Sequence, residues 1–108
     1  MKCFVTFRLK PGVTVDEYLE WFRRENVPAV RKLSSIKTYR VWQVTSAMEG
    51  EPPQFLEEME IDHQADFERE IEEVPEMVAM LEGWYSRIAE QVIFYGEEIS
   101  LDLSLIHI

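Results

Sequence analysis

Residues 14–36, TVDEYLEWFRRENVPAVRKLSSI, constrain what this chain can fold into more than any other stretch. Thr14, followed three residues later by Glu17, is the reciprocal pair of a capping box placed just before an apolar run. At about 3.6 residues per turn, Val15, Tyr18, Leu19, Phe22, Ala29 and Leu33 fall on one side. That is an amphipathic helix laid on a core. Two residues depart from the pattern. Pro28 removes a backbone donor and crowds the preceding turn, which predicts a kink or break near Val27. Asn26 falls inside the apolar stripe, where a carboxamide must find partners or cost free energy. A broken helix with an amide on its buried side is an element suited to bordering a cavity.

On either side of this helix the period is two. From Met1 to Leu9, Cys3, Val5, Phe7 and Leu9 alternate with Lys2, Phe4, Thr6 and Arg8, a strand with its odd face in the core. Lys10-Pro11-Gly12 turns the chain into the helix. Residues 36–46 are rich in β-branched and aromatic side chains and read as a second strand. It is apolar on both faces, Ile36, Trp42 and Val44 against Tyr39 and Val41, so either face could meet the helices. Gly50 and Pro52-Pro53 mark a surface connection to a third strand, residues 54–61. There Phe55, Met59 and Ile61 are apolar, Glu57 interrupts them, and Glu58 and Glu60 belong to the other face. Phe67 and Ile71 mark a short helix ended by Val74-Pro75, and Pro75 opens a longer one with the stripe Met77, Met80, Leu81, Trp84 and Ile88. Residues 91–99 make a fourth strand, with Val92, Phe94 and Gly96 on one face.

This order, β-α-β-β-α-β, specifies an α+β, ferredoxin-like unit, a four-stranded antiparallel sheet with helices on one face. The other face then needs a cover. Phe4 and the two-sided second strand imply a second copy of the chain, giving a homodimer built as a dimeric α+β barrel. Residues 1–99 form this one domain, and 100–108 are a tail. Its last six residues, LSLIHI, look like the translation of a transposase recognition end used in sequencing libraries, so the tail is expected to lie outside the fold and His107 to carry no function.

Composition removes several function classes. The net charge is −10, from 21 acidic and 11 basic residues. Such a surface repels phosphate backbones and anionic bilayers, so neither nucleic acid nor membrane is an expected partner. A single cysteine excludes an intrachain disulfide and a cysteine-based zinc site. No apolar run reaches the ~20 residues of a membrane helix and no signal peptide precedes the first strand, so a cytoplasmic protein is expected.

Three blocks carry a resemblance: KPGV at Lys10 to Val13, the W..RENVPAVRKLSSI..YRV block from Trp21 to Val41, and GEPPQFLEEMEI from Gly50 to Ile61. Together they resemble the RedY/HapK-like family of dimeric α+β barrels, over nearly all of residues 2–99. The resemblance implies a role in secondary metabolism, in pathways to prodigiosin-type pyrroles and bisindoles. The implied work is cofactor-free tailoring, such as cyclisation or steering of a reactive intermediate. Polyketide-cyclase-like members of the barrel group carry a P-x-H-V histidine, where this chain has Pro75-Glu76-Met77-Val78. Haem-degrading members need an axial histidine, for which His63 lies in the wrong kind of segment.

The cleft between sheet and helices is the expected ligand site. Glu57 and His63 are the candidate proton-transfer residues. A carboxyl among Phe, Met and Trp has a raised pKa, and an imidazole at a strand-to-helix corner is placed as a general base. The competing reading pairs Glu57 with an arginine or turns it to the edge, and makes His63 a helix-start residue. Asn26 is the candidate substrate hydrogen-bonder, or else a cap for carbonyls freed by Pro28. Tyr39, Trp42 and Trp84 are candidate walls for a flat ring, or else core. Buried Cys3 reads as an inert small hydrophobe. The expected ligand is a small aromatic heterocycle of pyrrole or indole type, with no cofactor and no metal. Two roles fit, a tailoring enzyme or a noncatalytic dimer that binds and protects the same intermediate.

Overall fold

The computed structural model of the chain describes residues 1–100, and the expectation for the tail from 103 onward lies outside them. Four strands, β1 (Lys2–Leu9), β2 (Ile36–Gln43), β3 (Phe55–Ile61) and β4 (Ile88–Gly96), form one antiparallel sheet in the order β2-β3-β1-β4. Two helical segments connect β1 to β2: α1 (Val15–Trp21) and α2 (Val27–Val30). Two more, α3 (Gln64–Glu73) and α4 (Pro75–Tyr85), connect β3 to β4. This is the expected β-α-β-β-α-β order. Among the described residues no helix is long and apolar enough to cross a membrane.

Local signals set most element boundaries. Thr14 accepts the Glu17 amide N–H at 3.2 Å, and Glu17 accepts the Thr14 amide N–H at 3.4 Å, closing the capping box. Pro28 does not break the helix. The five residues Phe22–Asn26 widen into a π-helical turn, with the Val27 N–H donating to the Phe22 carbonyl five residues back. The wider turn absorbs the proline's missing donor and keeps Asn26 on the buried side, at 3% exposure. Pro75 opens α4 as expected, but α4 ends at Tyr85. Ile88, read as part of its stripe, belongs to β4 and faces Leu9 across the sheet.

The helices cover the odd face of β1 and β3, where Cys3, Val5, Phe7, Phe55, Met59 and Ile61 join Tyr18, Trp21, Phe67, Met77, Met80 and Trp84 in one core. Phe7 is its centre, fully buried with ring centroids of Phe55, Trp84 and Tyr18 at 5.3, 5.4 and 5.6 Å. Trp21, absent from the predicted stripe, is buried beneath the Arg87 guanidinium, 4.7 Å above its ring.

Register decides what β2 could not decide locally. Tyr39 lies opposite Met59 and Val41 opposite Glu57, so these side chains face the helices. Trp42 lies opposite Leu56 on the other face and is 42% exposed. That open face also carries Phe4 stacked on Phe94 at 5.3 Å, and exposed Val92. Glu58 and Glu60 lie there too, paired with Lys2 at 2.7 and 3.5 Å.

Because Phe7 holds three aromatic rings together, Phe7→Ala is expected to lower unfolding free energy by about 3–5 kcal/mol. Urea unfolding followed by tryptophan fluorescence measures it, and a loss below about 1 kcal/mol would place the centre of the core elsewhere.

Candidate functional site

Three polar side chains meet beneath the helix layer, each delivered by a different element. The π turn brings Asn26, β2 brings Tyr39 and β3 brings Glu57. Tyr39 and Glu57 are diagonal neighbours on adjacent strands, a separation that a long side chain spans. The Tyr39 hydroxyl bonds to Glu57 Oε1 and lies 3.0 Å from Asn26 Oδ1. Asn26 Nδ2 in turn donates to the Met80 sulfur at 3.5 Å. Among the described residues the Asn26 side chain's partners are Tyr39 and Met80, not the carbonyls that Pro28 frees.

This cluster lines a narrow cavity of about 60 Å³, otherwise walled by apolar groups that include Val5, Met59, Phe67, Met77 and Trp84. Among the described residues no lysine, arginine or histidine lines it. Glu57 is 4% exposed, and burial pushes its carboxyl up to about 7 although the Tyr39 hydrogen bond pulls the other way. Burial, with the Glu57 charge beside it, also drives the Tyr39 phenol well above its ordinary range. Burial pushes the Cys3 thiol to about 11, so it is protonated and inert at neutrality. The arginine pairing considered for Glu57 is absent among the described residues, where the carboxyl's hydrogen-bond partner is Tyr39.

A groove of about 500 Å³ runs between the π turn with α2 and the β2 edge, lined by Phe22, Val27, Ile36 and Val41 and also by Arg31 and Lys37. It shares Val30 and Tyr39 with the cavity, so Tyr39 separates a roomy apolar groove from the buried acid.

The structure therefore brings together Asn26, Tyr39, Glu57 and Trp84, whose buried indole N–H has no hydrogen-bond partner among the described residues. Two predicted residues lie elsewhere. His63 is exposed at the start of α3 and does not line the cavity. Trp42 is on the opposite face of the sheet, because the β2 register turns odd residues inward. Met80 was not singled out as a site residue; its helical spacing marks it only as core. Among the described residues no cluster of three histidine, cysteine or acidic side chains could hold a metal ion.

An acid whose pKa is raised by folding has a definite linkage. Between its ordinary 4.5 and about 7, the folded protein holds a proton that the unfolded chain has lost. Stability therefore falls as pH rises through that window and levels off above it, by on the order of 3 kcal/mol. Glu57→Gln is expected to remove this part of the slope in urea titrations run at a series of pH values. An unchanged slope would mean that Glu57 is not the group responsible.

No curated protein matches the sequence. Among solved structures, the fold is similar to that of HapK from Hahella chejuensis, with 17% identity, TM-score 0.71, and 94% and 96% of the two chains covered. It is similar to a hydroxynitrile lyase from Passiflora edulis at 10% identity and TM-score 0.74, covering 92% and 95%. It is also similar to a dimeric ferredoxin-like protein of unknown function from Bacteroides fragilis, at 22% identity and TM-score 0.63, covering 86% and 90%. These likenesses establish the ferredoxin-like fold. A family model described as REDY-like protein HapK matches residues 1–99, essentially the whole described chain, and the protein belongs to that family.

Proposed function

We propose that this protein is a homodimeric tailoring enzyme that moves a proton on a small aromatic heterocycle without a cofactor, in cytoplasmic secondary metabolism. The observation that carries the reading is Glu57, a carboxyl buried among apolar walls, with no cation among the described residues of its cavity, and titrating near neutrality. A group poised there gives and takes protons with little penalty in either direction. On this reading a flat pyrrole- or indole-type ring occupies the apolar groove beside Tyr39, and Tyr39, which lines both groove and cavity, must swing aside for the ring's reacting edge to meet the carboxyl. Glu57 in its ionised form removes a proton from a C–H or N–H of the ring, and returns it at another ring atom as the bonds shift. Atoms and electrons balance with no oxidant or reductant. That a hydroxynitrile lyase shares this fold supports the scaffold's capacity for catalysis.

The dimer reading is supported by the open sheet face, where Phe4, Phe94, Val92 and Trp42 form an apolar surface, and by relatives described as dimeric. Self-association through that face is isologous and leaves the helix-side cavity free.

Turnover of pyrrole and indole metabolites, followed by deuterium exchange from solvent into the ring, is expected in the native protein. It should fall at least about a hundredfold in Glu57→Gln while binding of the same compound persists. Exchange unaffected by Glu57→Gln would remove Glu57 as the catalytic group, and native protein that binds the compound without exchange would be a noncatalytic carrier. Sedimentation of the native protein should give a dimer and that of Phe94→Glu a monomer; a native monomer would remove the barrel.

A further inference from the structure

The Tyr39 hydroxyl has one proton and two acceptors competing for it. Glu57 Oε1 lies on one side and Asn26 Oδ1 at 3.0 Å on the other. Counting protons along the chain leaves two self-consistent arrangements. When Glu57 is protonated, its O–H donates to the Tyr39 oxygen, the Tyr39 O–H donates to Asn26 Oδ1, and Asn26 Nδ2 donates to the Met80 sulfur at 3.5 Å. Every group then has a partner. When Glu57 is ionised, Tyr39 must donate to the carboxylate. Two bare acceptors, the Tyr39 oxygen and Asn26 Oδ1, then face one another, a costly contact in an apolar surround. A half-turn of the carboxamide relieves it by bringing Nδ2–H to the Tyr39 oxygen and turning Oδ1 toward Met80 and the cavity.

We propose that Asn26 is the specificity-determining residue of this cavity, and that the proton on Glu57, relayed through Tyr39, sets which end of its carboxamide the cavity meets. With the acid protonated, the cavity meets an N–H held only by a thioether, a weak acceptor. A ligand carrying a carbonyl oxygen or an imine-type nitrogen displaces the sulfur, and Met80, being flexible, moves aside. With the acid ionised, the cavity meets a carbonyl, which selects a ligand presenting N–H or O–H. The site thus takes a heterocycle N–H while Glu57 is a base, and favours an acceptor tautomer once Glu57 has gained the proton. That substrate assignment rests on the proposed function; the coupling itself does not.

The surroundings leave the acid in control of the relay. From β1 the titratable neighbour is Cys3, from α1 Tyr18 and from β2 Tyr39, all with pKa values raised above neutrality. From α3 and α4 the cavity receives the apolar side chains Phe67, Ile71, Met77, Met80, Leu81 and Trp84, and from β4 Ile93. Near neutrality, Glu57 is the group in the cluster that titrates.

The test uses ligand-free protein carrying methyl-labelled methionine and nitrogen-labelled asparagine, titrated by NMR through the midpoint of the Glu57 carboxyl signal. The Met80 methyl and Asn26 amide signals are expected to move in one step with that midpoint. In Tyr39→Phe the carboxyl should still titrate while the Asn26 and Met80 steps are lost. Glu57→Gln should hold both signals at their acid-side positions at every pH, because its amide N–H donates to Tyr39 as the protonated acid does. Signals that stay still in the native protein, or that follow the carboxyl equally in Tyr39→Phe, would overturn the relay. Since no ligand or turnover is involved, failure here leaves the catalytic reading intact. Loss of the catalytic reading likewise leaves the relay intact.

Discussion

The burial of one carboxyl organises this molecule. Glu57 sits in the middle of a strand whose other inward residues are Phe55, Met59 and Ile61, and an ionised group there would cost several kcal/mol without a counter-charge. Among the described residues lining the cavity there is no cation. The fold offers a phenol and, through the phenol, an amide. The consequence is an acid whose charged and neutral forms are nearly balanced at neutrality, at some cost in stability. A well-packed leucine at the same position would make a better core and leave no titratable group there.

Holding that arrangement requires elements distant in the chain to agree within a fraction of an ångström. Asn26 reaches Tyr39 because the π turn accommodates Pro28 and keeps Asn26 on the buried side, and Tyr39 reaches Glu57 because the β2–β3 register sets Val41 opposite Glu57. The loop ahead of β2 is fixed in turn by Glu70 of α3, whose carboxylate accepts the Ser34 and Ser35 amide N–H groups at 2.7 and 2.9 Å. These hydrogen bonds hold the Glu70 carboxyl below its ordinary value, against the opposing effect of desolvation. The helix layer and the edge strand are thereby joined close to the site.

The two faces of the sheet divide the work. The helix-covered face carries the cavity, and the open face carries an apolar surface with Lys2, Glu58 and Glu60 paired beside it. A chain of net charge −10 repels copies of itself at long range. Its open face therefore concentrates apolar contact where charges are already neutralised locally.

Much of this was legible in the residues alone, for a local reason. Periods of two and 3.6, the capping box at Thr14 and the prolines at 28 and 75 act over a few residues, so element order and fold class follow from them. Asn26 and Glu57 were legible as site candidates because each interrupts an otherwise apolar stripe. What pairs with them was not. Tyr39 and Trp42 are equally aromatic and lie on opposite faces of a strand that is apolar on both, so only pairing with β3 decides which one enters the cavity. His63 has suitable chemistry, but the β3-to-α3 corner leaves it exposed. Met80 reads as core until Asn26 is seen against it. Local pattern determined which elements form and which residues are out of place. The long-range register, which no local pattern encodes, decided which of those residues share a proton.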